Sequence, residues 1–133
     1  MEVFYHLQLV SLAVLMLVSL LDFSSAAVVV SGLRGTNLSG DAFGNAPDPY
    51  VKIWCGGEYK RTNYFQGNRN PEWRSSYSFS GCKSGHTLEL QVWDQDVKFD
   101  DLLGSHRTKV RSGSNSGSFS VGRGKMNFKY NVK

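Results

Sequence analysis

Residues 27–133 predict an all-β sandwich domain, on two observations. First, no long stretch has the 3.6-residue apolar periodicity of an amphipathic helix. Second, short runs rich in β-branched and aromatic residues recur about every ten residues, with Gly, Asn, Ser and Pro between them. Such spacing is typical of an antiparallel sandwich. The 107 residues are enough for one domain with one core.

The first three strands are expected at Val28–Leu33, Tyr50–Cys55 and Glu58–Phe65. In the second strand every other residue from Val51 to Cys55 is apolar, as a half-buried strand requires. The third strand follows at once, because the Gly-Gly pair between them favours a hairpin turn. Basic residues in these two strands, Lys52, Lys60 and Arg61, are expected to line one sheet face or to be plainly solvated.

Three further strands are expected at Ser76–Phe79, Thr87–Trp93 and Lys125–Val132. Both longer strands alternate strictly between apolar and polar residues, so each has one buried face. The intervening segment Arg111–Gly117, with sequence RSGSNSG, predicts a flexible loop instead.

The N-terminus predicts the compartment. Residues 7–21 form an apolar run that is short for a membrane span but suits a secretory signal, and small residues follow at 24–27. We therefore expect a signal peptide over residues 1–26 and a single domain over residues 27–133. The alternative is an uncleaved membrane anchor. Cleavage would remove two acidic residues and raise the net charge from +4 to +6.

The charge and the cysteines narrow the functional classes. A basic domain favours anionic surfaces such as phospholipid or glycan. Nucleic acid is not expected, because the basic residues form no run and the chain is predicted to be secreted. In an oxidising compartment Cys55 and Cys82 are expected to form a disulfide, the alternative being two buried thiols.

All six aspartates of residues 27–133 fall in two short windows: Asp41 and Asp48, then Asp94, Asp96, Asp100 and Asp101. Confined carboxylates repel one another, at ~1 to 4 kcal/mol for a like-charge pair ~4 Å apart near a surface. A hard cation such as Ca²⁺ resolves that repulsion, since its ligands are carboxylates on flexible loops. One window precedes a strand and the other follows one, so sharing ions requires both loops at the same end of the sandwich.

Four stretches of the sequence, two of which contain the aspartates, together resemble a known protein family. VVVSGLRGTNLSGDAFGNAPDPYVKIW, NRNPEW, LELQVWDQDVKFDDLLG and GKMNFKYNV together resemble a C2 domain, in particular the one at the C-terminus of perforin. The resemblance covers residues 27–133, and perforin's pore-forming domain has no counterpart in the sequence. It implies an eight-stranded antiparallel C2-type β-sandwich with calcium-binding loops at one end.

By motif, the resemblance assigns two or three Ca²⁺ ions to the six aspartates. Asp41 and Asp48 are the first-loop ligands, and Asp94 and Asp96 form the D-x-D pair. Asp101 precedes L-L-G, while Asp100 serves an extra ion in perforin-like members. The segment 97–99 is one residue shorter than in perforin, which leaves the outermost ion position open.

Side chains between these aspartates suit membrane contact. Phe43, Val97 and Phe99 are expected to insert among lipids, and Lys98 to reach a headgroup by snorkelling. Small residues stand at 39 and 42 where the family often has bulky ones, so insertion weaker than perforin's is expected. Asn37 begins an Asn-Leu-Ser glycosylation sequon beside the first loop, and its occupancy stays open.

The predicted function is a secreted, extracellular, monomeric module that binds phospholipid membranes in a calcium-dependent manner. Release through secretory granules and a role in innate defence follow from the resemblance alone. The alternative is a calcium-dependent carbohydrate- or protein-binding module that does not insert into a membrane. An enzyme is not expected, because residues 27–133 contain only two histidines, His86 and His106, no G-x-S-x-G motif, and no recognisable set of base and oxyanion donors.

Overall fold

A computed structural model describes residues 27–40 and 44–133 as a sandwich of two antiparallel sheets. The predicted fold class is therefore confirmed. Within these residues no helix is long and apolar enough to cross a membrane. The predicted signal peptide, 1–26, lies outside the described residues. The strands are β1 Val28–Thr36, β2 Pro49–Cys55, β3 Glu58–Arg61, β4 Glu72–Trp73, β5 Tyr77–Phe79, β6 Thr87–Asp94, β7 Asp101–Lys109, β8 Gly113–Val121 and β9 Gly124–Val132.

The five-stranded sheet has the order β4-β1-β9-β8, and β5 also pairs with β1. Both short strands lie along the same edge of β1: β5 pairs with residues 28–30, and β4 with residues 33–34. They are two parts of one edge strand, interrupted at residues 74–76. If β4 and β5 are counted as one strand, the nine segments amount to eight strands, which is the number expected.

The four-stranded sheet has the order β3-β2-β6-β7 and sets the positions of the aspartate loops. Pro49, the first residue of β2, pairs with Asp94, the last residue of β6. Asp94 in turn pairs with Asp101, the first residue of β7. The chain segments before β2 and after β6 therefore leave the sandwich at the same end.

The core lies between the sheets and is built from the predicted alternation. Apolar residues at every second position of β2, β6 and β9 are buried: Val51, Ile53, Cys55, Leu88, Leu90, Val92, Met126, Phe128 and Tyr130. Cys55 and Cys82 are bonded to each other, with Cα atoms 5.5 Å apart, which confirms the predicted disulfide. This bond ties β2 to the turn between β5 and β6 at the far end from the aspartate loops.

The loop predicted at Arg111–Gly117 is wrong, because most of it forms the edge strand β8. Residues 113–121 pair with β9 in unbroken antiparallel register. The Ser- and Gly-rich sequence has little intrinsic strand preference, but the neighbouring strand supplies hydrogen-bond partners. Gly117 lies opposite Phe128, and a Cβ on Gly117 would lie 2.6 Å from that ring. The glycine thus makes room for a core aromatic.

Two other expectations need correction in the four-stranded sheet. The strand expected at Glu58–Phe65 ends at Arg61, since the buried Thr62 hydroxyl turns inward and accepts a hydrogen bond from Val51 N at 2.9 Å. Lys60 does not share a face with Arg61. It pairs with the buried Ile53, whereas Arg61 pairs with Lys52 on the outer face. Neighbouring residues of a strand point to opposite faces, so the three cations cannot line one surface.

Candidate functional site

Three chain segments meet at the end of the sandwich where β2 begins and β6 ends. We call this the loop end: the first loop is residues 37–48, the second 62–71 and the third 95–100. Asp48 connects all three. Its side-chain Oδ1 accepts a hydrogen bond from Gly67 N at 2.7 Å, and its carbonyl accepts one from Gln95 N at 2.9 Å. Its own N–H donates to Asp94 Oδ1 at 2.8 Å.

Asp94 lies at the centre of the loop end. Burial raises the pKa of its carboxyl, the N–H of Asp48 lowers that pKa, and the charges of three other aspartates raise it further. Those aspartates are Asp48, Asp101 and Asp96. Three of the other predicted ligands are therefore close enough to Asp94 to repel its carboxylate through space.

Asp100 holds the third loop in place. Its Oδ2 accepts a hydrogen bond from the Tyr50 hydroxyl, and its Oδ1 accepts one from Asp96 N at 3.1 Å. Both bonds keep the pKa of Asp100 below its usual range. Burial, and then the bond to Asp100, raise the pKa of Tyr50 to about 12. Tyr50 lies on the outer face of β2, opposite Trp93, yet it is only 1% exposed.

The third loop presents apolar side chains to solvent. Val97 is 99% exposed and Phe99 is 82% exposed, with the exposed Lys98 between them. Sequence reasoning missed two further exposed apolar residues at this end, Leu102 and Tyr64. Leu102 follows directly after Asp101 at the start of β7, and Tyr64 belongs to the second loop. Exposure of so many large apolar groups at one end marks a binding surface.

A cleft of 240 Å³ lies between the second and third loops. Its lining combines acidic, amide, aromatic and apolar groups: Asp48, Tyr64, Gln66, Gln95, Asp96 and Val97. Oxygen atoms of carboxylate and amide type thus face an open space beside Val97, the most exposed large apolar side chain among the described residues.

Asp41 and Phe43 lie outside the described residues, but the ends of their loop are described. Gly40 N donates to Asn45 O at 2.9 Å, which closes the first loop on itself. A Cβ on Gly40 would lie 2.7 Å from Asn45 O and 3.3 Å from Asp94 Oδ2. The base of the first loop therefore packs against Asp94, and its close approach requires a glycine.

The donors at the loop end fit a hard cation by their chemistry, since they are carboxylate oxygens on loops. Asp48 and Asp94 each have one carboxylate oxygen fixed by a backbone N–H, which orients the other oxygen. Among residues 27–40 and 44–133, no three His, Cys, Asp or Glu side chains converge into a metal-holding group. Asp41, the remaining aspartate of the predicted set, lies outside the described residues, so its part in the site stays a prediction.

Asn37, the residue of the glycosylation sequon, lies at the exit of β1 at the loop end. It is exposed and has a positive φ of 54°, and its N–H donates to Asn70 Oδ1 at 2.9 Å. Its side chain is accessible, and its occupancy by glycan stays a prediction.

A sandwich that carries carboxylates and exposed apolar groups on loops at one end defines a loop-based binding module. The sequence matches the C2 domain family over residues 26–123, and the chain belongs to that family. C2 domains are binding modules.

The curated relatives include perforins and extended synaptotagmins. Perforin-1 of Mus musculus and perforin-1 of Homo sapiens are each 36% identical over 111 residues, which cover 81% of this chain. The chain spans only 20% of either perforin's length. Extended synaptotagmin-1 of Mus musculus is 34% identical over 71 residues, covering 53% of this chain and 6% of that protein. The chain is thus related to membrane-binding C2 domains.

Solved structures have the same fold. A structure described as that of a C2 domain superposes with a TM-score of 0.76 at 27% identity, covering 81% of this chain and 98% of that one. The calcium-bound structure of two C2 domains of extended synaptotagmin 2 gives a TM-score of 0.68 at 21% identity, covering 82% of this chain and 46% of that one. At that identity the second likeness concerns the fold alone.

Proposed function

We propose that residues 27–133 form a secreted, calcium-dependent domain that docks on phospholipid membranes with its loop end. One observation carries the proposal: the exposed Val97 and Phe99 lie at the same end of the sandwich as Asp94, whose carboxylate is repelled by three neighbouring aspartates. An apolar tip alone would suit many partners. Joined to carboxylates that a bound cation can neutralise, the apolar tip suits a surface that has anionic groups outside and apolar groups beneath them.

Calcium would change the sign of the field at the loop end. Without it, the aspartates repel anionic headgroups. Two ions add four positive charges there and attract those headgroups instead. Asp48, Asp94, Asp96 and Asp101 would hold the ions together with Asp41. Ions held by loops keep coordination positions that a lipid phosphate oxygen can fill.

Asp100 differs from the other five aspartates. Both its oxygens accept hydrogen bonds that hold the third loop, from Tyr50 and from Asp96 N. Two ions therefore leave this arrangement intact. A third ion bound by Asp100 would have to replace at least one of these bonds.

Docking would then place the apolar side chains among the lipid tails. Val97 and Phe99 would insert with Phe43 of the first loop, while Lys98 extends toward a headgroup. Leu102 and Tyr64, exposed at the same end, would lie nearer the headgroup level.

Secretion is supported by the disulfide, since such bonds persist in oxidising compartments. It is supported further by the apolar N-terminal run and by the likeness to perforin-1. The proposed cellular role is in innate defence, where the domain would act as a monomer and by binding, without catalysis. The chain matches only a fifth of perforin's length, so the proposal includes no pore formation.

Co-sedimentation with vesicles of phosphatidylserine and phosphatidylcholine, with calcium or with chelator, tests the proposal. Asp94→Asn keeps the oxygen that accepts the Asp48 N–H but removes a charge, so pelleting with calcium should fall about tenfold or more. Glu72→Gln, the same type of change on the exposed strand β4, should bind as the parent does.

Three outcomes would count against the proposal. Equal pelleting in chelator and in calcium would remove the role of the cation. Equal losses in both variants would show that only general charge matters. Calcium-dependent pelleting with insoluble polysaccharide, but not with vesicles, would favour the alternative of a calcium-dependent carbohydrate-binding module.

A further inference from the structure

The outer face of the four-stranded sheet alternates aromatic and basic side chains. Cross-strand pairs share a face of a sheet, so the register places six such residues together on the solvent side of β2, β3, β6 and β7. We call this surface the aromatic–basic face: Lys52, Trp54, Tyr59, Arg61, Trp93 and Arg107. It lies along the side of the sandwich and extends from Trp93, next to Asp94, to Trp54 and Arg107 at the far half of the sheet.

The rings of this face are held in fixed positions. Trp54 and Tyr59 lie side by side with ring centroids 5.1 Å apart, and Tyr59 is 45% exposed. Lys52 Nζ lies 4.2 Å from the centroid of the Trp93 ring. Arg61 Cζ lies 4.3 Å from the centroid of the Tyr50 ring. Such cation–π contacts keep both the charges and the rings flat against the sheet.

A row of hydrogen bonds along β6 positions the remaining cation. Trp93 Nε1 donates to Gln91 Oε1 at 2.9 Å, and Gln91 Nε2 donates to Glu89 Oε2 at 3.0 Å. Glu89, only 15% exposed, pairs through Oε1 with Arg107 Nε at 2.5 Å. The Arg107 side chain is 76% exposed, so most of its guanidinium donors stay open to a ligand.

These groups border a groove at the far half of the sheet. It encloses 520 Å³ and is lined by Trp54, Gly57, Thr87, Glu89 and Arg107. That volume is within the range of ligand sites in proteins, about 300 to 1,000 Å³. Aromatic surface forms one side of the groove and an anchored guanidinium the other.

We propose that the aromatic–basic face binds a sulfated polysaccharide, independently of calcium. Sugar rings have apolar faces that pack on Trp54 and Tyr59, and their hydroxyls suit the amide and carboxylate of the β6 row. The sulfates match Arg107, Lys52 and Arg61. The charge of the domain, +6 after signal removal, favours the same anionic ligand.

The spacing of the cations favours a chain over a single headgroup. Lys52 and Arg107 lie two strands and two residues apart, which is roughly 12 Å by standard sheet dimensions. One phosphorylated headgroup cannot bridge that distance and also cover the rings. A polymer with repeated anions and flat apolar faces matches both features at once.

Heparin-affinity binding in the presence of chelator tests this inference on the full domain. Arg107→Ala should weaken binding about tenfold, because it removes charge-assisted hydrogen bonds. Tyr59→Ser, which changes no charge, should weaken binding roughly three- to tenfold through the loss of ring packing. Arg74→Ala removes the same charge from an exposed position beside β4 and should have little effect.

Four results would overturn the inference. Equal losses in Arg107→Ala and Arg74→Ala would reduce the binding to net charge. Parent-like binding by Tyr59→Ser would remove the aromatic platform. Loss of heparin binding in chelator would move the site to the calcium loops. Binding to phosphoinositide vesicles in chelator, without binding to heparin, would assign the face to lipid.

The two proposals fail separately. Asp94→Asn should lose vesicle binding and keep heparin binding, whereas Arg107→Ala should do the reverse. When the domain is docked on a membrane through its loop end, the groove at the opposite half of the sheet stays exposed. If both proposals hold, vesicles with calcium and heparin together should bind the same molecule.

Discussion

Phe99 provides the sharpest test of membrane insertion. It is 82% exposed, so Phe99→Ser removes no packing and should change stability by less than about 0.5 kcal/mol. Fully burying a phenylalanine side chain is worth about 1.5 to 3 kcal/mol. Scaled by the exposed fraction, its insertion contributes about 1.2 to 2.5 kcal/mol, which is about an 8- to 70-fold change in affinity.

The assay is vesicle co-sedimentation at saturating calcium, with thermal unfolding as the check on folding. Tyr59→Ser is the matched control, since it also removes an exposed aromatic but at the opposite half of the domain. Unchanged vesicle affinity of Phe99→Ser, with calcium-dependent binding retained, would refute insertion of the third loop. Equal losses in both variants would show that exposed aromatics bind vesicles wherever they lie.

Four further predictions concern stability and pH. Replacing Cys55 and Cys82 by alanine should destabilise the domain by about 3.5 kcal/mol, because the bond closes a loop of 27 residues, and should lower Tm by roughly 15 °C. Without calcium, the raised pKa of Asp94 means that its contribution to stability is full below the ordinary carboxyl pKa of 3.8 and is lost as pH rises through the raised pKa. Asp94→Asn should remove this slope, and equal slopes in urea titrations would contradict it. Because the raised pKa of Asp94 lets protons compete with calcium for its carboxylate, calcium titrations should show weaker binding at pH 5 than at pH 7.4. Such weaker binding would keep the domain free of calcium in acidic granules until its release. Tyr50→Phe should abolish the tyrosine that titrates near pH 12 in ultraviolet spectra and should destabilise the domain by about 1.5 kcal/mol, an effect that Asp100→Asn should partly reproduce.

The position of the predicted ligands follows largely from local patterns. Asp48 precedes β2 and Asp94 ends β6, and both strands are visible from strict alternation of apolar residues. Once these strands pair antiparallel, the two aspartates must lie at the same end. Their hydrogen bond, and the repulsion that raises the pKa of Asp94, are consequences of that pairing.

Other features depend on partners that no local pattern reveals. Residues 113–117 form a strand because β9 offers a free edge, despite a composition typical of loops. Asp100 is bonded by Tyr50, 50 residues away, because the pairing of β2 with β6 places Tyr50 close to the third loop. The expectation that Lys60 shares a face with Arg61 was wrong for a different reason. Strand alternation alone already predicts that Lys60 faces away from Arg61.

The amino-acid sequence alone determined the sandwich, the confinement of the aspartates to two loops and the C2 family, because each follows from residue patterns that span only a few positions. Only the tertiary structure decided which side chains from different strands meet. The Tyr50–Asp100 bond and the aromatic–basic face both depend on inter-strand register, which places residues 5 to 50 positions apart side by side. Register is set by the packing of the whole core, and for that reason a surface assembled from four strands was not foreseen from any one of them.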